Sequence, residues 1–200
     1  SIDRTEKIIL LKQEIERLNI NFLKPDINFS DPLFSIEIND NFKSIRFGLS
    51  AIKGVGLKSI SSMVDERNKN GKFKSIIDFM NRVSKEVINK RQLEKLIQAG
   101  AFDSIEANRS KLFNNVPKFV ELFGGEKNIN QDMLFEENEI SFEDKNLFNQ
   151  NYEKWKNAEI LSNELEVIGF YFSDHPLNLY PKKFFELENI SLYKNSFENN

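Results

Sequence analysis

Two hundred residues suffice for one or two domains and can bury a core without covalent cross-links. The absence of cysteine excludes disulfides and thiolate metal sites, and a single histidine leaves little else for a transition metal. No apolar run approaches the roughly 20 residues that cross a bilayer, no secretory leader pattern is present, and the net charge of −3 conceals a division along the chain.

These features predict a cytoplasmic protein with no membrane partner and, given nineteen Phe, an aromatic core. Because Ser1 stands in a helical pattern already under way, a piece of a longer protein is expected. Residues 41–100 carry thirteen Lys or Arg against five Asp or Glu, a net of +8, whereas residues 126–166 carry four against eleven, a net of −7. A basic block that keeps its apolar periodicity is either a footprint for phosphates or a solvated surface, and charge alone does not choose between them.

In chain order, Asp3 and Glu6 have capping-box spacing, and Ile8, Leu11, Ile15 and Leu18 follow at helical intervals, so a first helix reaches Arg17 or Leu18. Turn residues cluster at Lys24, Pro25 and Asp26 and at Ser30, Asp31 and Pro32. Phe34, Ile36 and Ile38 then alternate, Asn39, Asp40 and Asn41 turn, and residues 42–47 return, which predicts a short β-hairpin. From Gly48 the period is helical. Leu57, Ile60 and Val64 share one face of a helix stopping near Asn70 and Gly71; Ser75 and Asp78 start the next, which carries Ile76, Phe79, Met80 and Val83.

Asn89 caps a third helix with Leu93, Leu96 and Ile97 inside it and Gly100 as its left-handed stop. Asn108 opens a fourth, with Leu112, Phe113, Val116 and Val120, which Pro117 should kink or divide. Residues 124–149 are Asn- and Glu-rich without a period and read as a linker. A long amphipathic helix is expected from near Asn151, with Trp155, Ala158, Leu161, Leu165 and Ile168, closed by Gly169 before an irregular aromatic tail.

The sharpest chemistry lies at Ile52, Lys53, Gly54, Val55 and Gly56, between a short apolar segment and the helix of Ile60 and Val64. This is the layout of a helix-hairpin-helix. Two glycines around one apolar residue permit a tight turn with positive φ, while Val55 holds the turn in the core. Peptide N–H groups of the turn and helix start then face outward, where an anionic oxygen can accept from them. Lys53 and Lys58 flank that seat and Ser59 adds a hydroxyl. Such contacts position a duplex without reading its bases. An ordinary glycine turn between packed helices has the same local sequence.

Residues 45–56, then Phe73, Lys74 and Ser75, then Asn89, Lys90 and Arg91 leading to residues 96–103, resemble in order and spacing the tandem helix-hairpin-helix region of the bacterial DNA polymerase III alpha subunit family. Residues 165–177 resemble the segment that precedes an oligonucleotide-binding barrel in that family, with Asp174 where glycine is usual. The resemblance implies a mainly α fold with a short β-hairpin: residues 1–40 ending the fingers, 41–123 a tandem helix-hairpin-helix DNA-binding domain, 124–149 an acidic linker, and 150–200 a further helix and tail. It also implies DNA-directed DNA synthesis by the intact protein with two Mg ions in an upstream palm. No carboxylate cluster here matches that site, so no catalytic residue, metal or cofactor is assigned to this piece, which should be inactive alone. The second hairpin lacks a Gly-apolar-Gly turn and is expected to be a degenerate, mostly structural partner, with Lys90 and Arg91 in reach of phosphate.

Gln131, Asp132, Met133, Leu134 and Phe135 form an isolated Gln followed by Leu-Phe in a polar stretch. Leu134 and Phe135 can fill an apolar pocket while the Gln amide sets register. The segment resembles the peptide by which this family grips the sliding clamp, although a local apolar patch folding back has the same composition. Double-stranded DNA, the clamp and other replicase subunits are the implied partners. A repair or recombination protein with the same motif, or a purely protein-binding helical module, remains open. His175, between Asp174 and Pro176, reads as a turn residue.

Overall fold

The computed structural model describes residues 4–39, 42–84, 86–123 and 151–179. Among these, six α-helices and a three-stranded sheet follow one another: α1 (Arg4–Arg17), β1 (Asn21–Leu23), β2 (Ser35–Asn39), β3 (Phe42–Arg46), α2 (Leu57–Asn70), α3 (Ile76–Arg82), α4 (Lys90–Gln98), α5 (Arg109–Phe123) and α6 (Asn157–Val167). The fold is mainly helical with a short β element. Residues 1–3, 40, 41, 85, 124–150 and 180–200 lie outside the described part, and with them the Asp3 cap, the centre of the expected hairpin turn, the acidic linker, the whole 131–135 segment and the end of the aromatic tail.

The predicted hairpin forms, with β2 antiparallel to β3 and Ile36 opposite Ile45. Sequence reading misses β1, which pairs parallel with β3 through Phe22 and Ile45 to give the order β1-β3-β2. Alternation predicts the strand but not its buried face: Ile36 and Ile38 are 69% and 65% exposed, while Glu37 turns inward to the Arg46 guanidinium at 2.6 Å. In α1, Ile15 is buried but Leu11 is exposed, as is Leu18 just past its end, since the sheet meets only part of that helix.

Helix ends follow their local chemistry. The Ser75 hydroxyl accepts from the Asp78 amide at 3.1 Å, the Asn108 side chain accepts from the Lys111 amide at 3.1 Å, and Gly71, Gly100 and Gly169 all take positive φ at helix stops. Three expectations need correction. Leu57 is 51% exposed, and the buried face of α2 is Ile60, Met63 and Val64. Pro117 does not divide α5, because buried Leu112, Val116 and Phe119 bind the helix to the core on both sides of the missing N–H. Helix α6 starts at Asn157 and not near 151; Trp155 precedes it and meets Phe113 at 5.5 Å, and Leu165 is exposed.

One hydrophobic cluster runs from Ile27 and Phe47 through α2, α4 and α5 to Val167, Ile168 and Phe170. Phenylalanines build it in two groups. Phe73, Phe79 and Phe102 meet edge to face at 5.0 Å, while Phe22, Phe34, Phe47, Phe170 and Phe172 form the other group, in which Phe170 and Phe172 are 4.9 Å apart. The tail after α6 thus returns to the sheet, and each buried Phe ring contributes on the order of 2–3 kcal/mol.

Candidate nucleic-acid interface

Gly48 leads into a single 3-10 turn, Leu49–Ala51, whose three residues are buried. Ile52 closes it, and the Val55 amide donates to the Ile52 carbonyl at 3.2 Å, making residues 52–55 a β-turn. Gly54 is third in that turn with φ 81, the left-handed value a type II turn requires there and the reason this position needs glycine. Gly56 does not share that need. It is the N-cap of α2 with φ −83, and an added methyl would meet only ordinary contacts with Gln92 and Ser59. The positive φ of the turn thus falls on Gly54 alone.

Val55 is 7% exposed and fixes the turn in the core, whereas Lys53, Gly54, Gly56 and Lys58 are exposed and Ser59 half-buried. The Lys53 amide is taken internally by the Val167 carbonyl at 2.8 Å. Those of Gly54, Gly56, Leu57, Lys58 and Ser59 have no acceptor among the described residues, and no side chain caps α2. Three of these are the first N–H groups of a helix, where the backbone dipoles sum to a partial positive charge. The exposed turn can therefore take an anionic oxygen, with two lysines beside it.

The second unit repeats this plan without glycine. The Val87 and Ile88 amides both donate to the Ser84 carbonyl, each at 3.0 Å; Ile88 is buried as Val55 is, and Asn89 caps α4 where Gly56 caps α2. Buried Ile60, Met63 and Val64 correspond to buried Leu93, Leu96 and Ile97 at the same spacing of 33 residues. Here the caps consume amides: the Asn89 side chain accepts from Gln92 N at 3.0 Å, and the Gln92 side chain accepts from Asn89 N at 3.1 Å. Lys90 and Arg91 are exposed at the helix start, Lys90 within 4.0 Å of Glu94.

The Gln92 amide nitrogen donates to the Ser59 hydroxyl at 3.2 Å, so both helix starts stand side by side. The structure thus brings Lys53, Gly54, Val55, Gly56, Lys58 and Ser59 together and places the start of α4, with Lys90 and Arg91, next to them. Sequence reading missed Gln92, although its place three residues after Asn89 is a readable capping-box signal. Arg109, Glu164 and Val167, which hold α6 against this region, gave no such signal. The His175 Nδ1 accepts from the Leu177 amide at 3.2 Å, a turn role.

Behind the interface, Arg109 forks onto Asp103 with two 2.8 Å bonds and reaches Glu164 at 3.0 Å. Burial disfavours the charged form of Asp103, but the Arg109 fork and Lys24 outweigh it and hold the carboxyl below its ordinary range. Burial also opposes the Arg109 charge, and its two carboxylates overcome this and raise its pKa. Asp26 goes the other way: burial raises it despite bonds from Asn28 and Ser104. Among the described residues, no group of three His, Cys, Asp or Glu could hold a metal ion, and no helix is long and apolar enough to cross a membrane.

A family model described as a helix-hairpin-helix motif matches residues 19–112. The chain is 38% identical over 185 residues to DNA polymerase III subunit alpha of Borreliella burgdorferi, covering 90% of this chain and 16% of that protein. It is also 38% identical over 183 residues to that of Neisseria meningitidis and 33% identical over 188 residues to that of Escherichia coli K12, in each case covering 91% of this chain and 16% of the relative. The chain spans about one-sixth of the length of these curated relatives. With two helix-hairpin-helix units in the described fold and this identity over nine-tenths of its length, the chain belongs to the DNA polymerase III alpha subunit family, as the segment that bears the motif.

Proposed function

We propose that this segment holds duplex DNA behind the active site of a replicative DNA polymerase, independently of sequence, and tethers that polymerase to its sliding clamp. The observation that carries the first part is the exposed turn at Gly54 and Gly56, with five amides lacking an acceptor among the described residues and Lys53 and Lys58 beside them. A phosphate oxygen satisfies these donors and a base edge is not needed, so the contact tracks the backbone of any duplex. Lys90 and Arg91, at the adjoining start of α4, supply further charge, while the capped amides there make the second unit the weaker seat.

The whole protein's activity in this reading is DNA-directed DNA synthesis in the cytoplasm, with other replicase subunits as partners. The two Mg ions of that chemistry belong to a palm outside this chain. The clamp tether rests on sequence alone, on Gln131, Asp132, Met133, Leu134 and Phe135. A tether raises local concentration, so a weak peptide suffices for processive synthesis.

Fluorescence anisotropy with two unrelated duplexes over a range of salt tests the DNA contact. The expected result is equal affinity for both and a steep linear fall of log affinity with log salt. No duplex binding at low salt defeats the reading and leaves a protein-binding helical module.

A further inference from the structure

The matched motif ends at residue 112, yet the backbone of the first turn is completed from outside it. Within that turn the amides of Lys53 and Val55 are bonded internally, to the Val167 and Ile52 carbonyls. Val167 is the last residue of α6, where a helix leaves carbonyls without intrahelical partners. The two bonded amides lie on either side of the Lys53–Gly54 peptide, whose N–H is one of those without an acceptor among the described residues. The bonds that flank this peptide therefore set its direction.

Helix α6 is itself tightly held. The fully buried Glu164 accepts from Arg109 Nη1 at 3.0 Å, from the Phe172 and Ser173 amides at 2.8 and 3.0 Å, and from the Ser173 hydroxyl. On the other flank, Lys95 of α4 reaches Glu166 at 2.6 Å, and a methyl placed on Gly54 would stand 3.8 Å from its Cγ. Gln98 donates to Asn163 at 3.0 Å. The end of α6 thus braces the first turn and the second helix unit together.

We infer that α6 is a working part of the duplex grip, with Glu164 as a positioning residue that keeps the Val167 carbonyl on the Lys53 amide and presets the turn for phosphate. The inference rests on the duplex contact proposed above. A turn already held in its bound shape loses less freedom on binding, which is the general source of affinity from preorganisation.

Glu164→Gln tests it on the full 200-residue chain. Glutamine has the same shape but one acceptor oxygen, which can serve Arg109 or the Phe172 and Ser173 amides and not both. Because loss of a buried charge partner can destabilise the fold outright, Gly169→Ala provides a second route. Gly169 stands at φ 100 just past α6, and alanine strains that exit while leaving the side chains of the ion pairs in place in the sequence. Val116→Ala, in the buried face of α5, serves as a destabilised control.

Both joint variants are expected to exchange the Lys53 amide faster and to lose about fivefold to tenfold in duplex affinity at low salt, the lower range of coupling between adjoining sites. Val116→Ala should keep the affinity at equal loss of stability. Unchanged affinity in both joint variants, or a loss that merely follows stability across all three, overturns the positioning role. Failure of the unaltered chain to bind duplex overturns the duplex reading and this inference with it.

Discussion

Ser59 and Gln92 occupy the same place in two successive helices, three residues after the N-cap of each, and the Gln92 amide donates to the Ser59 hydroxyl at 3.2 Å. This bond ties the starts of α2 and α4 together at the proposed phosphate seat. Glutamate at 92 keeps an acceptor for the Asn89 amide and suits a helix N-terminus, but adds negative charge where phosphate should sit. Gln92→Glu should therefore leave the urea unfolding free energy within about 0.5 kcal/mol of the unaltered chain, or raise it slightly, while duplex affinity falls clearly. Parallel loss of stability and affinity would instead mean that the bridge is only structural.

Gly54 and Gly71 both have positive φ, 81 and 85, and neither would bring a methyl group into a clash. Alanine at either should cost about 1–3 kcal/mol through backbone strain alone. Only Gly54→Ala should also weaken duplex binding, since only there does the strained peptide carry a free donor at the seat. Urea titration and anisotropy on the two variants separate the effects, and equal affinities would remove Gly54 from the contact.

Removing a cation that neutralises one phosphate lowers the slope of log affinity against log salt by about 0.9. Lys53→Gln with Lys58→Gln should reduce it by about 2 in total, by the same amount on two unrelated duplexes. A slope unchanged by the double substitution would show that neither lysine meets the backbone.

Half-buried Asp103 and buried Asp26 should give opposite pH dependence. At Asp103, burial favours the neutral form, but Arg109 and Lys24 prevail and the folded pKa lies below the unfolded value of about 3.9. Its stabilisation is thus complete above that unfolded value and is lost as pH falls through the folded one. For Asp26 burial wins and the folded pKa is raised, so the folded protein holds its proton longer and stability declines as pH rises through that window. Urea midpoints between acid and neutral pH should show Asp103→Asn destabilised at neutral pH and less so in acid. Asp26→Asn should compare best with the unaltered chain at neutral pH, and the reverse ordering would contradict these assignments.

Capture of the chain on immobilised sliding clamp should fall sharply when Leu134 and Phe135 are both changed to alanine, because the two side chains supply the apolar anchor of the proposed peptide. The same variant should bind duplex as before. Undiminished capture would place the clamp contact elsewhere.

What the sequence determined by itself is chemistry that acts within a few residues. Ser75, Asn89 and Asn108 start helices and Gly71, Gly100 and Gly169 end them, because caps and left-handed stops are satisfied by backbone groups three or four positions away. The turn at Gly54 and the pairing of β2 with β3 were legible for the same reason. The three-residue β1 is too short to carry a period, and only its parallel partner β3 makes it a strand. The exposure of Ile36 and Leu57 and the continuation of α5 through Pro117 depend on which surfaces meet. Tertiary structure alone decided that Ser59 meets Gln92, that Arg109 meets Glu164 across 55 residues, and that α6 ends on the Lys53 amide. Those bonds join groups far apart in the chain, and shared burial of the phenylalanine core, which has no local signature, is what brings them within reach.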